Sequence, residues 1–219
     1  MCFSASASLI AGTGLGMIGR ETLKKTKVKT DYPFAAIPLI FGIQQFVEGG
    51  VWLSIGLPVI NQITAYVYLI FAYVLWPIFV PTAILLMEND PLRKRIIKVL
   101  VVCGMIAGLT LLYSILSGPV EAQVIQQSVS YSSIGNFPAH TVWLYIIATC
   151  FSCMASSHKM VTLFGITLFV SCFTAWQCYA NTFVSVWCFF SAILSFMVYL
   201  HFQPAHELVR DIKSRMNIA

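Results

Sequence analysis

The stretch FGIQQFVEGGVWL, residues 41–53, lies inside a long apolar segment and nevertheless contains three polar side chains. Gln44 and Glu48 are four residues apart, so they share one face of a predicted helix, and Gln45 lies beside them. A carboxylate at such a depth in a membrane is unfavourable unless it is paired, protonated or next to a water-filled cavity. We therefore predict that Glu48, Gln44 and Gln45 belong to a functional site.

The composition of the chain is that of a membrane protein. The 219 residues are 58% hydrophobic and 10% charged, whereas soluble domains contain about 25% charged residues. A membrane chain of this length is predicted to form a single domain over residues 1–219. The net charge of +5 comes from short loops between apolar segments, which excludes a nucleic-acid-binding surface and indicates membrane topology instead.

Seven apolar segments predict an all-α bundle of seven transmembrane helices, because a helix needs about 20 apolar residues to cross a bilayer. The connection at residues 117–138 is the longest, and residues 120–129 within it are predicted to form a short interfacial helix. Pro77 and Pro81 predict a bend in the third segment. The predicted segments are residues 3–19, 33–56, 62–87, 96–116, 139–155, 160–180 and 182–201.

The basic residues fix a predicted orientation. All 13 Lys and Arg residues follow the first, third, fifth or seventh segment, and the other loops have none. The positive-inside rule then places the amino terminus outside and the carboxyl terminus in the cytoplasm, in a bacterial inner membrane. A soluble helical bundle would need charged outer faces, which these segments lack.

In this orientation, polar side chains gather in the outer half of the bundle and predict a pocket that opens to the outside near Glu48. The alternative is that Trp and Tyr form the aromatic belt of a membrane protein while Gln and Ser join helices through hydrogen bonds. The predicted ligand-binding residues are Gln44, Gln45, Glu48, Trp52, Gln177 and Asn181.

Glu48, His140 and Cys2 form a second group of candidates. Together they supply oxygen, nitrogen and sulfur, a set of ligands that Zn or Cu accepts, although no motif of fixed spacing supports a metal site. The same three residues are the candidate catalytic residues. A disulfide between Cys2 and Cys178, both predicted near the outer face, stays open.

Two motifs carry a resemblance to a protein family. The opening MCFSASAS and the run PFAAIPLIFGIQQFVEG at residues 33–49 resemble a family of uncharacterised bacterial multi-pass membrane proteins. Its members begin with Met-Cys-Phe-Ser-Ala-Ser and carry Phe-Gly-Ile-Gln-Gln-x-x-Glu-Gly in the second helix. The resemblance implies a role for Cys2, Phe3 and Ser4 and again for the polar residues of the second helix, without naming their chemistry.

Three functions are compatible with the sequence. The first is a membrane protein, with or without enzyme activity, that binds a small polar molecule or a metal ion around Glu48. The second is a small-solute transporter, which needs a polar path to the cytoplasmic side. The third is an assembly partner, which needs the stripe of Ser4, Ser8, Gly12 and Gly16 to face lipid. The lipid bilayer is a partner in all three, and formation of a homo-oligomer stays open.

Overall fold

Seven helical segments and one β-hairpin form the part of the chain that the structure describes, which is residues 4–125, 127–132 and 138–203 of a computed structural model. The hairpin strands β1 (Glu121–Ile125) and β2 (Ser128–Ser132) pair antiparallel. The predicted seven helices are present, and the class is all-α apart from this hairpin. The helical segments are α1 (Ala5–Lys25), α2 (Lys29–Leu53), α3 (Pro58–Met87), α4 (Pro91–Leu116), α5 (residues 139–154), α6 (Lys159–Cys178) and α7 (Ala180–His201).

Four of these segments are interrupted by short irregular parts. Segment α2 begins with a 3-10 turn, α3 and α5 each contain a π-helical part, and α7 is divided at Ser195. The parts are Lys29–Asp31, Tyr32–Ala35 and Ile37–Leu53 in α2; Pro58–Leu69, Ile70–Leu75 and Trp76–Met87 in α3; Ala139–Ile146, Ile147–Phe151 and Ser152–Met154 in α5; and Ala180–Thr182, Phe183–Leu194 and Phe196–His201 in α7.

Five of the helical segments, α2, α3, α4, α6 and α7, are long and apolar enough to cross a membrane. Segment α5 is apolar but shorter, and α1 is not among the five because its last turns carry charged residues. Large apolar side chains such as Val59, Leu109 and Phe173 are exposed on the outer faces. These features suggest an integral membrane protein. The predicted orientation and the inner membrane stay predictions.

Two helix starts differ from the sequence prediction because proline residues begin them. Segment α3 starts at Pro58, four residues earlier than predicted, and α4 starts at Pro91, five residues earlier. Proline fits the first position of a helix, where no N–H group is needed. Asp90 adds a side-chain cap to α4, because its Oδ1 accepts a hydrogen bond from the N–H of Arg93 at 2.8 Å.

The β-hairpin occupies the place where the sequence predicted an interfacial helix at residues 120–129, so that prediction is wrong. Val120, Ala122 and Val129 are buried against the ends of the helices. Asn61 at the start of α3 holds the hairpin, since its Oδ1 accepts a hydrogen bond from the N–H of Ala122 at 2.9 Å. We call the end of the bundle that the hairpin covers the hairpin end.

The opposite end of the bundle, which we call the basic end, contains the described connections that follow α1, α3, α5 and α7. Lys25 Nζ donates a hydrogen bond to Gln203 Oε1 at 2.6 Å. Arg93 Nη1 donates to the backbone oxygen of Ser156 at 2.7 Å. These contacts join connections that are far apart in the sequence. The Lys- and Arg-containing loops of the described residues therefore share one end of the bundle, as the charge pattern predicted.

Segments α1 and α2 pack with their backbones in direct contact. A Cβ atom added at Gly12 would lie 3.0 Å from the backbone oxygen of Gly42, and one added at Gly19 would lie 2.5 Å from the nitrogen of Leu39. A side chain at Gly19 would therefore require a shift of the backbone, and one at Gly12 would require its neighbours to move slightly. Ser8 and Gly12 are buried inside the chain. An assembly partner would need the small-residue stripe to face lipid, and this part of the stripe does not.

Two clusters of buried apolar side chains fill the bundle. The larger cluster includes Phe34, Ile84 and Phe164. The smaller cluster includes Tyr68 and Val129 and joins the hairpin to α2 and α3. The polar residues of α2 lie between the parts of the helix that contribute to these two clusters.

Candidate functional site

Three polar side chains of α2 are completely buried. Gln44, Gln45 and Glu48 each have 0% of their surface exposed, while Ile43 and Phe46 on the opposite face are about half exposed. An apolar outer face suits lipid, and the polar face points into the bundle. The face predicted from the sequence is thus the one that α2 buries.

Glu48 accepts hydrogen bonds from two neutral groups. Ser185 Oγ in α7 donates to Glu48 Oε1 at 2.5 Å, and Gln45 Nε2 donates to Glu48 Oε2 at 3.1 Å. Within the described ranges, no Lys, Arg or His side chain forms an ion pair with Glu48. A buried charge without an opposite charge is strongly unfavourable. The surroundings of Glu48 therefore leave its charge uncompensated by these side chains.

Gln44 connects α2 to α3. Its Oε1 accepts a hydrogen bond from Trp76 Nε1 at 2.6 Å. The ring of Trp76 stacks on Phe41 with centroids 3.9 Å apart. This pair of stacked rings lies about one helical turn from Gln44 and Gln45, on the side of the basic end.

Several buried polar atoms around these residues have no hydrogen-bond partner. They are Ser8 Oγ, Gln44 Nε2, Gln45 Oε1 and Trp52 Nε1. Each such atom costs about 1–3 kcal/mol, and native proteins contain few of them. Three of the four belong to side chains with 0% exposure. One of these atoms lies on α1 and three lie on α2, so this part of the fold leaves hydrogen-bonding capacity unused.

A cavity of about 440 Å³ lies beneath the hairpin; we call it the hairpin chamber. Six of its lining residues are aromatic, and none of the described lining residues carries a charge. The polar groups come from Ser130, Asn181, Thr182 and Cys188 and from the tyrosines. The lining consists of Ala72, Tyr73, Leu111, Val129, Ser130, Tyr131, Val142, Tyr145, Ile146, Trp176, Ala180, Asn181, Thr182, Phe183, Val184, Trp187 and Cys188.

The π-helical part of α3 forms a portion of the chamber wall and contacts α5 close to the π-helical part of α5. Pro77 has no N–H group, so it cannot donate to the π-helical segment before it. The backbone oxygen of Ala72 in that segment instead accepts a hydrogen bond from the hydroxyl of Tyr145 at 2.7 Å. Tyr145 lies two residues before the π-helical part of α5, and its backbone oxygen accepts a hydrogen bond from Thr149 Oγ1 in that part at 2.9 Å. Such π-helical parts occur frequently at functional sites.

Cys188 lies between the chamber and the polar residues of α2. It lines the chamber, and it also lies beside Tyr68 and Gln44 and within electrostatic range of Glu48. Glu48 itself lines neither the chamber nor a small crevice nearby. The predicted pocket around Glu48 is thus divided in the structure into a void on one side of Cys188 and a tightly packed polar group on the other.

The remaining predicted ligand-binding residues are in different surroundings. Asn181 lines the chamber, and its backbone oxygen accepts a hydrogen bond from Ser130 Oγ at 3.0 Å. Gln177 is exposed on α6, away from the chamber lining. Trp52 is half-buried, and its Nε1 has no partner. The structure therefore brings only Asn181 of these three to the chamber.

The predicted metal and catalytic residues are not brought together by the described structure. Glu48 is completely buried, His140 is exposed at the start of α5, and Cys2 lies outside the described residues. Cys178, the predicted disulfide partner of Cys2, is an exposed free thiol. Across the described ranges, no three His, Cys, Asp or Glu side chains are placed to hold a metal ion. The Zn or Cu site stays a prediction.

A second buried carboxylate, Glu88, lies between the third and fourth predicted segments. It has 0% exposure and lies at the basic end, directly after α3. Its oxygens accept five hydrogen bonds, from the N–H groups of Asn89, Asp90 and Ser157 and from the hydroxyls of Ser156 and Ser157, at 2.7–3.4 Å. Glu88 thus fastens the connection after α3 to the connection after α5.

These hydrogen bonds control the ionisation of Glu88. Burial by itself raises the pKa of this carboxyl group, but the hydrogen bonds from Asp90, Ser157 and Asn89 outweigh burial and lower the pKa to about 2. Glu88 is therefore ionised at neutral pH. No sequence motif predicts that Glu88 joins two connections. The Glu-Asn-Asp-Pro sequence after one apolar helix and the Ser-Ser pair after another do indicate side-chain capping.

Comparison with known proteins places the chain in one family. The family described as "Family of unknown function (DUF6629)" matches residues 1–211. None of the curated proteins compared with the chain matches it, and none of the solved structures does.

Proposed function

The chain belongs to this family of unknown function, and we propose that it is a multi-pass membrane protein that binds a small molecule in the hairpin chamber. The observation that carries the proposal is the chamber itself. Its volume of about 440 Å³ lies in the range of about 300–1,000 Å³ that is usual for ligand pockets. Apolar walls with a few convergent polar groups are also typical of such sites.

The lining indicates the chemistry of the occupant. Without a charged group in the described lining, the chamber offers nothing to pair with an anion or a cation. Trp176, Phe183 and Trp187 offer aromatic faces, and the Asn181 and Thr182 region offers hydrogen bonds at the hairpin end. We therefore expect a largely apolar, uncharged molecule with one or two hydrogen-bonding groups, rather than the polar molecule predicted from the sequence.

The polar residues of α2 lie on the side of Cys188 that faces away from the chamber. Cys188 lies on the chamber surface and beside Gln44. A molecule that contacts the thiol of Cys188 would therefore influence the packing of the α2 polar group. In the predicted orientation the chamber lies in the outer half of the membrane protein, with the hairpin between it and the outside.

The test is to fill the chamber with a larger side chain. Val184→Trp places an indole in the chamber lining, whereas Val170→Trp, the matched control, changes a residue that is 57% exposed on α6. The protein and both variants are purified gently in detergent, and bound small molecules are identified by mass spectrometry. We expect a molecule that accompanies the original protein and the control but not Val184→Trp. The same molecules, or none, with all three proteins would contradict the proposal.

Transport is the second candidate function, because a smaller crevice lies beside the chamber on the side of the basic end. This crevice has a volume of about 30 Å³, shares the wall residues Tyr145, Trp187 and Cys188 with the chamber, and is also lined by Ile37 and Phe164. The stacked aromatic pair of α2 and α3 borders the crevice. Flux of the chamber ligand across proteoliposomes would distinguish a transporter from a binding protein, since binding alone produces no flux.

A further inference from the structure

Ser8 of α1 and Gln45 and Glu48 of α2 carry buried oxygen atoms in one layer of the bundle, where Ser185 of α7 donates a hydrogen bond to Glu48; we call these oxygen atoms the oxygen site. We propose that the oxygen site binds a small monovalent cation of the size of Na⁺. The site is separate from the hairpin chamber, and the inference does not depend on the proposed function.

The first argument is the unused oxygen atoms. Gln45 donates its Nε2 to Glu48, so its Oε1, on the same amide group, also lies close to the carboxylate. That Oε1 has no hydrogen-bond donor, and neither the oxygen of Ser8 nor that of Gln45 is exposed to solvent. Buried oxygen atoms without donors are what a bound cation requires.

The second argument is that the three residues lie in one layer of the bundle. A Cβ atom added at Gly49 would lie 2.9 Å from the side chain of Leu9, and one added at Gly12 would lie 3.2 Å from Phe46. Ser8 directly precedes Leu9 and is one turn before Gly12. It is therefore level with residues 45–49 of α2, which include Gln45 and Glu48.

The third argument is charge. None of the described Lys, Arg or His side chains pairs with Glu48. One carboxylate compensates one positive charge, so a divalent ion would leave an excess charge buried in the bundle. Hard oxygen ligands without nitrogen or sulfur favour an alkali cation over a transition metal. Coupling-ion sites of secondary transporters are likewise formed between helices inside the bundle.

Two simpler occupants explain less of the structure. A protonated Glu48 has no charge and can donate to Oε1 of a reversed Gln45 amide, but it leaves the oxygen of Ser8 without a partner. A buried water can donate to Gln45 and Ser8 but leaves the charge of an ionised Glu48 uncompensated. A cation satisfies the oxygens and the charge together.

The test measures thermal unfolding of the full-length protein in detergent at constant ionic strength. NaCl is titrated against N-methylglucamine chloride, whose cation is too large for a buried site. We expect NaCl to raise the unfolding midpoint saturably, by about 4 °C or more. Glu48→Gln should remove this rise, and Ser8→Ala should move the titration to about tenfold higher NaCl. Glu21→Gln, an exposed acidic residue paired with Lys24, should respond like the original protein.

An equal midpoint in both salts would overturn the proposal, as would a response of Glu48→Gln equal to that of the original protein. A midpoint that depends on pH but not on NaCl would show that Glu48 is protonated instead, which also overturns it. Because the titration of the original protein is decisive by itself, a variant that fails to fold does not prevent the test.

Discussion

Glu48 and Glu88 are both completely buried, but they receive different numbers of hydrogen bonds at the two ends of the bundle. At the basic end, Glu88 receives five hydrogen bonds from two connections. Toward the hairpin end, Glu48 receives two, and unpartnered oxygen and nitrogen atoms lie around it. Charge-assisted hydrogen bonds stabilise an ionised carboxylate, and their absence leaves it unfavourable.

The difference separates a structural carboxylate from a functional candidate. The oxygen atoms of Glu88 accept hydrogen bonds from two loops and hold these loops together, so they have no free lone pair for a ligand. Glu48 leaves its surroundings incompletely satisfied, and a fold keeps such a group when something other than stability requires it. Burial alone would have assigned both residues the same role.

The largest expected effect is the loss of the Glu88 side chain. Glu88→Ala leaves the N–H groups of Asp90 and Ser157 without their acceptor, and we expect the free energy of unfolding to fall by about 4 kcal/mol. The measurement is denaturant or thermal unfolding in detergent. Glu21→Ala, which removes an exposed carboxylate, should leave stability unchanged. Equal effects of the two changes would refute the structural role of Glu88.

Acid should weaken the same contact. The usual pKa of glutamate is about 4.3, whereas the hydrogen bonds of folded Glu88 lower its pKa to about 2. Because the pKa is lower in the folded state, the stabilisation is complete above about pH 4.3 and is lost as the pH falls toward about 2, in total about 2–3 kcal/mol. Subtracting the pH profile of Glu88→Gln from that of the original protein isolates this term. A difference that does not change between these pH values would contradict the assignment.

A smaller effect is expected at the wall of the hairpin chamber. Tyr145→Phe removes the donor to the Ala72 oxygen, and we expect a loss of about 1–2 kcal/mol because that oxygen stays buried and unpaired. The change should also alter ligand binding in the chamber, which Tyr145 lines. Tyr113→Phe, on an exposed side chain of α4, is the control. A Tyr145→Phe protein as stable as the control would argue against the hydrogen bond.

The sequence predicted the features that depend on composition and local spacing. Seven helices followed from apolar length, the shared basic end from the positions of Lys and Arg, and the buried face of α2 from the four-residue spacing of Gln44 and Glu48. Each of these rests on residues near one another in the chain. The physical causes are the transfer of apolar side chains from water into the bilayer and the periodicity of the helix, and both depend on short stretches of sequence.

The features that the sequence did not reveal depend on distant contacts. Glu88 and its partner Ser157 are 69 residues apart, and only the packing of α3 beside α5 brings them together. The hairpin was missed because the sequence between Ile125 and Ser128 is Gln-Gln, without the Asn or Gly that usually indicates a tight turn. Gln127 nevertheless has a positive φ of 61°. The chamber could not be predicted because its walls come from widely separated segments.

Removing only the charge of each buried carboxylate tests the difference between them most directly. Glu48→Gln and Glu88→Gln are unfolded by heat in a buffer free of alkali cations. We predict that Glu48→Gln stays within about 2 °C of the original protein, because the amide of Gln45 can reverse and pair its Oε1, while Glu88→Gln falls by about 5 °C or more. If Glu48→Gln lost as much stability as Glu88→Gln, Glu48 would be a structural residue like its counterpart at the basic end, and the candidate site would be contradicted.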